Sequence, residues 1–147
     1  MSQADQLFPD GAHELYTCQI PSRLESREEV IQAVLDAAAE RGFQVDPHFD
    51  RLCLDEALIN AITHGNANDP SKRVTVRVFC SQAAWGVEVA DEGAGFDWRG
   101  WLDYVRDGLD VSRTSGRGLA IILGAATKVQ FLDEGRRLRM IWQHDSS

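Results

Sequence analysis

Lysine is scarce in this chain of 147 residues: of 15 basic side chains only Lys72 and Lys128 are lysines, against 23 acidic ones. The net charge of -8 and the isoelectric point near 4.9 exclude a general nucleic-acid binder, whose grip on phosphates rests on clustered positive side chains. Any polyphosphate ligand must draw on local arginines, which offer a planar fork of donors. Cysteine is limited to Cys18, Cys53 and Cys80, with no paired spacing for zinc or for a redox dithiol, and this fits a reducing compartment. No apolar run approaches the roughly 20 residues that cross a bilayer. Met1 to Asp5 lacks the basic and then apolar order of a signal peptide, so the expectation is a cytoplasmic protein without a membrane or direct nucleic-acid partner. No flexible connector divides the chain. Residues 1–12 read as a flexible lead-in, and residues 13–147 as one domain with one core.

The apolar spacing predicts a mixed α and β chain. Leu15 to Ile20 reads as a strand ended by Pro21. Ser26 followed by Glu29 predicts a capping box opening a helix that runs to about Arg41, with Gly42 as its stop and Val30, Val34, Ala37, Ala38 and Arg41 on one buried face that ends in a solvated charge. A second helix is expected from Asp46-Pro47 to about His64, ended by Gly65 and Asn66. Arg73 to Cys80 and Ala84 to Ala90 alternate as two adjacent antiparallel strands. The stretch from Asp97 to Thr114, with Trp98, Trp101 and Tyr104, reads as a cover over a site. A short helix from Gly118 to about Ala126 and strands at Lys128 to Leu132 and Leu138 to Trp142 complete the chain. This order predicts an α+β fold, one mostly antiparallel sheet with helices on one face.

Three stretches carry chemistry. On the second helix Glu56, Asn60 and His64 recur every four residues, which predicts one polar row. A neutral oxygen on Asn60 suits Mg2+, which fills its remaining positions with water and phosphate. Glu56, one turn earlier, is a candidate base for an attacking hydroxyl or water. Thr63 and His64, at the helix end, are candidate phosphate contacts. Asp91 enters Gly93-Ala94-Gly95, a turn that lets backbone approach closely. Its carboxylate can accept from an exocyclic amine, which adenine has and guanine lacks at that position. Gly116-Arg117-Gly118 precedes the apolar run from Leu119, so it predicts a helix N-terminus suited to phosphate, with Arg117 or Arg113 adding charge-assisted bonds. The absence of a following Gly-Lys-Ser or Gly-Lys-Thr excludes a Walker loop.

Taken in order, Glu56 to Gly65, Asp91 to Phe96 and Ser115 to Leu119 resemble the three boxes of the GHKL ATPase superfamily, which includes gyrases and sensor histidine kinases. Within it the chain looks most like the serine kinases that act as anti-sigma factors. The resemblance implies a Bergerat-type two-layer sandwich holding ATP and Mg2+, with a mixed, mostly antiparallel sheet. By position, Asn60 would hold Mg2+, Asp91 would read adenine, Gly93, Gly95 and Phe96 would shape the base pocket, and Gly116, Gly118 and Leu119 would cradle phosphate. Glu56 matches the family's base, and Arg113 would stabilise the transferred phosphoryl group. The implied partner is a small single-domain anti-sigma-factor antagonist phosphorylated on serine, with a sigma factor as a second partner; homodimers are common in such kinases. Two rival readings remain open, a nucleotide-gated protein-binding module without catalysis and a stand-alone ATPase of a signalling system. The sequence contains no upstream helix with a phosphoacceptor histidine, so a complete sensor histidine kinase is not the expectation.

Overall fold

The computed structural model describes residues 13–95 and 121–143. Along the chain lie β1 (His13–Pro21), α1 (Arg27–Glu40), α2 (Phe49–Ile59), β2 (Arg73–Cys80), β3 (Ala84–Ala90), β4 (Lys128–Leu132) and β5 (Arg137–Gln143). Residues 121–125 are also helical. The five strands form one sheet in the order β1-β2-β3-β5-β4, and every pairing is antiparallel. The expected α+β sandwich is therefore found, although the sheet is wholly antiparallel among the described residues rather than mixed.

Alternation along the strands decides which face meets the helices. Val74, Val76 and Val78 of β2 are cross-strand neighbours of Val89, Val87 and, on the other side, Ile20, Cys18 and Tyr16. These side chains share a core with Val30, Ile31, Val34, Leu35 and Ala38 of α1 and with Cys53, Leu54, Ala57 and Leu58 of α2. Each large aliphatic side chain withdrawn from water here contributes about 1.5–3 kcal/mol. The core face of α1 also includes Ile31 and Leu35, which the spacing did not mark, and it ends at an exposed Arg41, as that spacing predicts. Trp85 and Trp142 face each other across β3 and β5 and stack with centroids 4.5 Å apart. Burial pushes the Cys53 thiol up to about 12, helped by Asp50 and Glu56, so this thiol stays protonated.

The helix ends show which capping signals act. The predicted box at Ser26 does not form: a 3-10 turn over Leu24–Ser26 leads into α1, Ser26 has helical dihedrals, and its side chain caps nothing. Ser26 N–H is already satisfied by Arg23 O at 3.0 Å, so no extended N-cap residue remains there. The reciprocal arrangement sits instead at α2. Asp46 Oδ1 accepts from His48 and Phe49 N–H, both at 2.9 Å, and Asp50 Oδ2 accepts from Asp46 N–H at 2.8 Å. The bonds from Phe49 and His48 hold the Asp46 carboxyl below its ordinary range. At the other end of α1, Gly42 N–H reaches Ala39 O and Phe43 N–H reaches Ala38 O, the paired bonds of a Schellman stop at the predicted glycine.

The face of the sheet opposite the helices carries an ionic cluster. Glu88 of β3 is buried and accepts from Arg137 at 2.6 Å and from Arg139 at 2.9 Å, with Arg77 at 3.7 Å. Arg77 and Arg139 also lie over the Phe79 ring. Two cross-strand neighbours of this face, Arg77 opposite Glu88 and Glu88 opposite Arg139, put the three charges in one row across β2, β3 and β5.

Candidate functional site

The second helix does not continue as a regular α-helix to His64. α2 ends at Ile59, and Asn60–Gly65 form a π-helical turn whose widened coil is closed by Asn66 N–H on Ala61 O at 2.8 Å. Such turns recur at functional sites because they insert a residue without ending the helix. Glu56 and Asn60 keep the four-residue spacing of one α-turn, and both are half-buried. His64 lies within the widened turn, is exposed, and does not extend their row as a regular helix would. Thr63 spends its hydroxyl proton on Ile59 O at 2.6 Å, which leaves only its lone pairs for a ligand. Among the described residues the Asn60 side chain makes no hydrogen bond, so its amide oxygen is available to a cation.

Behind the π-turn lies the Asp91 loop, in direct contact with it. A side chain on Gly65 would stand 2.9 Å from Asp91 Cβ and closer still to Asp91 Cγ and Oδ2. One on Gly93 would fall on the Gly65 carbonyl, deep inside van der Waals contact. The two glycines thus exist as a matched pair that lets helix end and loop touch through backbone alone. Gly95 has φ +85°, and a Cβ there would stand 2.5 Å from Glu134 O.

Asp91 is held by two hydrogen bonds. Its N–H donates to Arg136 O at 2.9 Å, and its Oδ1 accepts from Gly93 N–H at 2.8 Å. Its Oδ2 lies over Gly65 and, among the described residues, takes no hydrogen bond. Burial pushes this carboxyl above its ordinary range, opposed by the Gly93 N–H and by the charge of Arg136. One oxygen is therefore committed to the loop and the other is left as an acceptor in a partly dehydrated corner, the chemistry an exocyclic amine requires.

Residues that sequence reasoning missed fasten this loop from two sides. Arg136, at the start of the turn between Asp133–Gly135 and β5, donates through Nε to Gly93 O at 2.7 Å and through Nη2 to Ala94 O at 3.2 Å. The hairpin tip that presents it winds left-handed at Asp133 (φ 50°), Glu134 (φ 55°) and Gly135 (φ 89°), an unfavoured conformation for two of the three. On the opposite side Asn66 accepts from Glu92 N–H at 2.7 Å, and Glu92 Oε2 accepts from Arg73 N–H at 2.6 Å. The sequence marks Asn66 only as a helix stop, and nothing in the spacing of Arg136 marks it, because their partners lie tens of residues away. Of the other candidate site residues, Phe96, Arg113, Gly116, Arg117, Gly118 and Leu119 lie outside the described residues.

The helix that carries Glu56 and Asn60, a glycine-on-glycine junction and a half-buried aspartate just after β3 thus meet in one corner. The histidine kinase-like ATPase domain family matches residues 20–142, and the chain belongs to that family. The match runs from the end of β1 into β5 and includes every residue of the corner just described. No curated protein matches the chain. Membership makes this an ATP-binding domain of the regulatory, histidine kinase-like class. Among the described residues no helix is long and apolar enough to cross a membrane.

Proposed function

We propose that this domain is a Mg2+-dependent, ATP-using serine-protein kinase of the anti-sigma-factor type, whose substrate is a serine on a small antagonist protein. The observation that carries the reading is the placement of Glu56 one α-turn before Asn60, on the helix whose end touches the adenine-reading loop. In this reading a nucleotide whose base rested on Asp91 would bring its phosphates toward that carboxylate. The donor set suits the ligands: Asn60 contributes a neutral oxygen for Mg2+, which usually keeps several waters and phosphate oxygens around one or two protein ligands.

In this reading Glu56 takes the proton of the serine hydroxyl. The serine oxygen forms a bond to the γ-phosphorus as the bond from that phosphorus to the bridging oxygen of ADP breaks, giving phosphoserine and ADP. Bound Mg2+ would offset charge on the phosphates. Arg113 is assigned to the charge of the transferred group and Arg117 to the phosphates, with Gly116 and Gly118 as their backbone cradle. The partner and the localisation follow the same proposal: a cytoplasmic antagonist, with a sigma factor held when the antagonist is absent.

The test is transfer of the terminal phosphate of labelled ATP to serine of a candidate antagonist by the purified domain, compared with Glu56→Gln. Label on the partner with wild type and its loss in the variant support the kinase. Tight ATP binding with no transfer to any protein moves the assignment to a nucleotide-gated binding module. Phosphate release without a protein substrate moves it to an ATPase.

A further inference from the structure

We propose that Asn66 is the positioning residue that sets adenine selectivity, acting through the peptide that follows Asp91. The inference rests on the reading of Asp91 as the adenine acceptor and deepens it. Asn66 is fully buried, and its amide is committed on both sides: Nδ2 donates to Ser22 Oγ at 2.9 Å and to Arg73 O at 3.0 Å, while Oδ1 accepts from Glu92 N–H at 2.7 Å. Turning the amide over would set its NH2 group against the Glu92 N–H and its oxygen against the Arg73 carbonyl. The network therefore admits one orientation.

Each partner is itself anchored. Ser22 Oγ donates to Lys72 O at 2.7 Å, and Asn66 N–H closes the π-turn on Ala61 O. The side chain thus ties three separate pieces of chain, the β1–α1 corner, the start of β2 and the helix that carries Asn60, to one N–H in the base-reading loop. The peptide between Asp91 and Glu92 is gripped there by Asn66, and the preceding peptide is gripped by Arg136 through Asp91 N–H. Two fixed peptides leave the Asp91 side chain a single approach over Gly65, with Oδ1 on Gly93 N–H and Oδ2 turned to the ligand. Asn66 touches no base itself. Its oxygen decides whether a carboxylate oxygen stands where adenine presents an amine and where guanine would present a repelled carbonyl.

The experiment compares dissociation constants for ATP and GTP by calorimetry in wild type, Asn66→Ala and Val34→Ala. Val34 is a buried α1 residue on the core face. Asn66→Ala is expected to weaken ATP about tenfold or more while GTP changes by less than about twofold, since sites built around one hydrogen bond discriminate through it. Val34→Ala is expected to lower the melting temperature and leave the ATP to GTP ratio intact, which separates positioning from general loosening. If Asn66→Ala does not fold, Asn66→Ser takes its place, because its hydroxyl ends one atom short of Glu92 and should contract the ratio likewise. A wild-type preference for ATP that persists unchanged in the folded Asn66 variant overturns the proposal while sparing the site. No adenine preference in wild type sinks the reading of Asp91 and the proposal together.

Discussion

Adding one methyl group at Gly65 tests the adenine corner most directly. The new Cβ of Gly65→Ala would stand 2.9 Å from Asp91 Cβ and closer to Cγ and Oδ2, whereas carbon atoms pack at about 3.5–4.0 Å. Relief requires Asp91 to retreat by roughly 1 Å, because the helix end is pinned by the Asn66 N–H on Ala61 O. That retreat stretches the 2.8 Å bond from Gly93 N–H and withdraws Oδ2 from its place over the helix end. Overpacking of this size costs about 1–3 kcal/mol, which lowers the melting temperature by about 2–10 °C for a domain of this size. The loss of a hydrogen bond to a charged acceptor costs ATP a further ~1.5–3 kcal/mol, roughly 10- to 150-fold in affinity. GTP, which does not use that acceptor, should change far less. Isothermal titration with both nucleotides, alongside thermal unfolding, measures each part. A Gly65→Ala protein that binds ATP as tightly as wild type would falsify the assignment of Asp91 as the base reader.

Two further outcomes follow from the electrostatics. Because burial raises the Asp91 carboxyl above its ordinary value of 3.8, the ionised form that accepts an amine is lost as pH falls through that raised value, earlier than for an exposed aspartate. ATP affinity should therefore decline on acidification while the weaker affinity of Asp91→Asn stays flat; parallel profiles for the two proteins would refute it. The same shift makes the unliganded fold favour the protonated acid, so this group's contribution to stability is full below 3.8 and lost as pH rises through its folded value. In the ionic row, Glu88→Ala leaves Arg139 and Arg137 without the carboxylate they share and should cost about 3–5 kcal/mol in chemical denaturation, the penalty of breaking a buried pair from one side. A loss under about 1 kcal/mol would show that the row is wetter than its burial implies.

The strands were legible because a half-buried strand repeats every two residues. Arg73–Cys80, Ala84–Ala90 and Lys128–Leu132 have the bounds that alternation predicts, and β1 and β5 extend slightly beyond theirs. Helix starts were less so. A serine followed by a glutamate satisfies the local rule for a cap, yet the 3-10 turn at Leu24–Ser26 took up the Ser26 amide first. The π-turn was invisible, since apolar spacing through Ala61 and Ile62 suits either coil over so few residues. Within the candidate site, Glu56, Asn60, Asp91, Gly93 and Gly95 are legible as candidates because local pattern marks them. Asn66, Arg136 and the burial of Glu88 could not, because their meaning comes from partners on other strands.

The fastening of the Asp91 loop also has a temporal side. Its bonds join Asn66 to Glu92, Arg73 to Glu92, Gly93 to Arg136 and Ser22 to Asn66, across 26, 19, 43 and 44 residues of chain. Each requires a long loop to close before it repays the entropy, and such contacts form late in folding. As the polypeptide leaves the ribosome, α1 and α2 can be complete while the purine corner still awaits the hairpin that brings Arg136. Nucleotide capture is thereby reserved for a nearly finished chain, since the loop that carries Asp91, in the middle third of the molecule, is fastened only once Arg136 of the last third arrives.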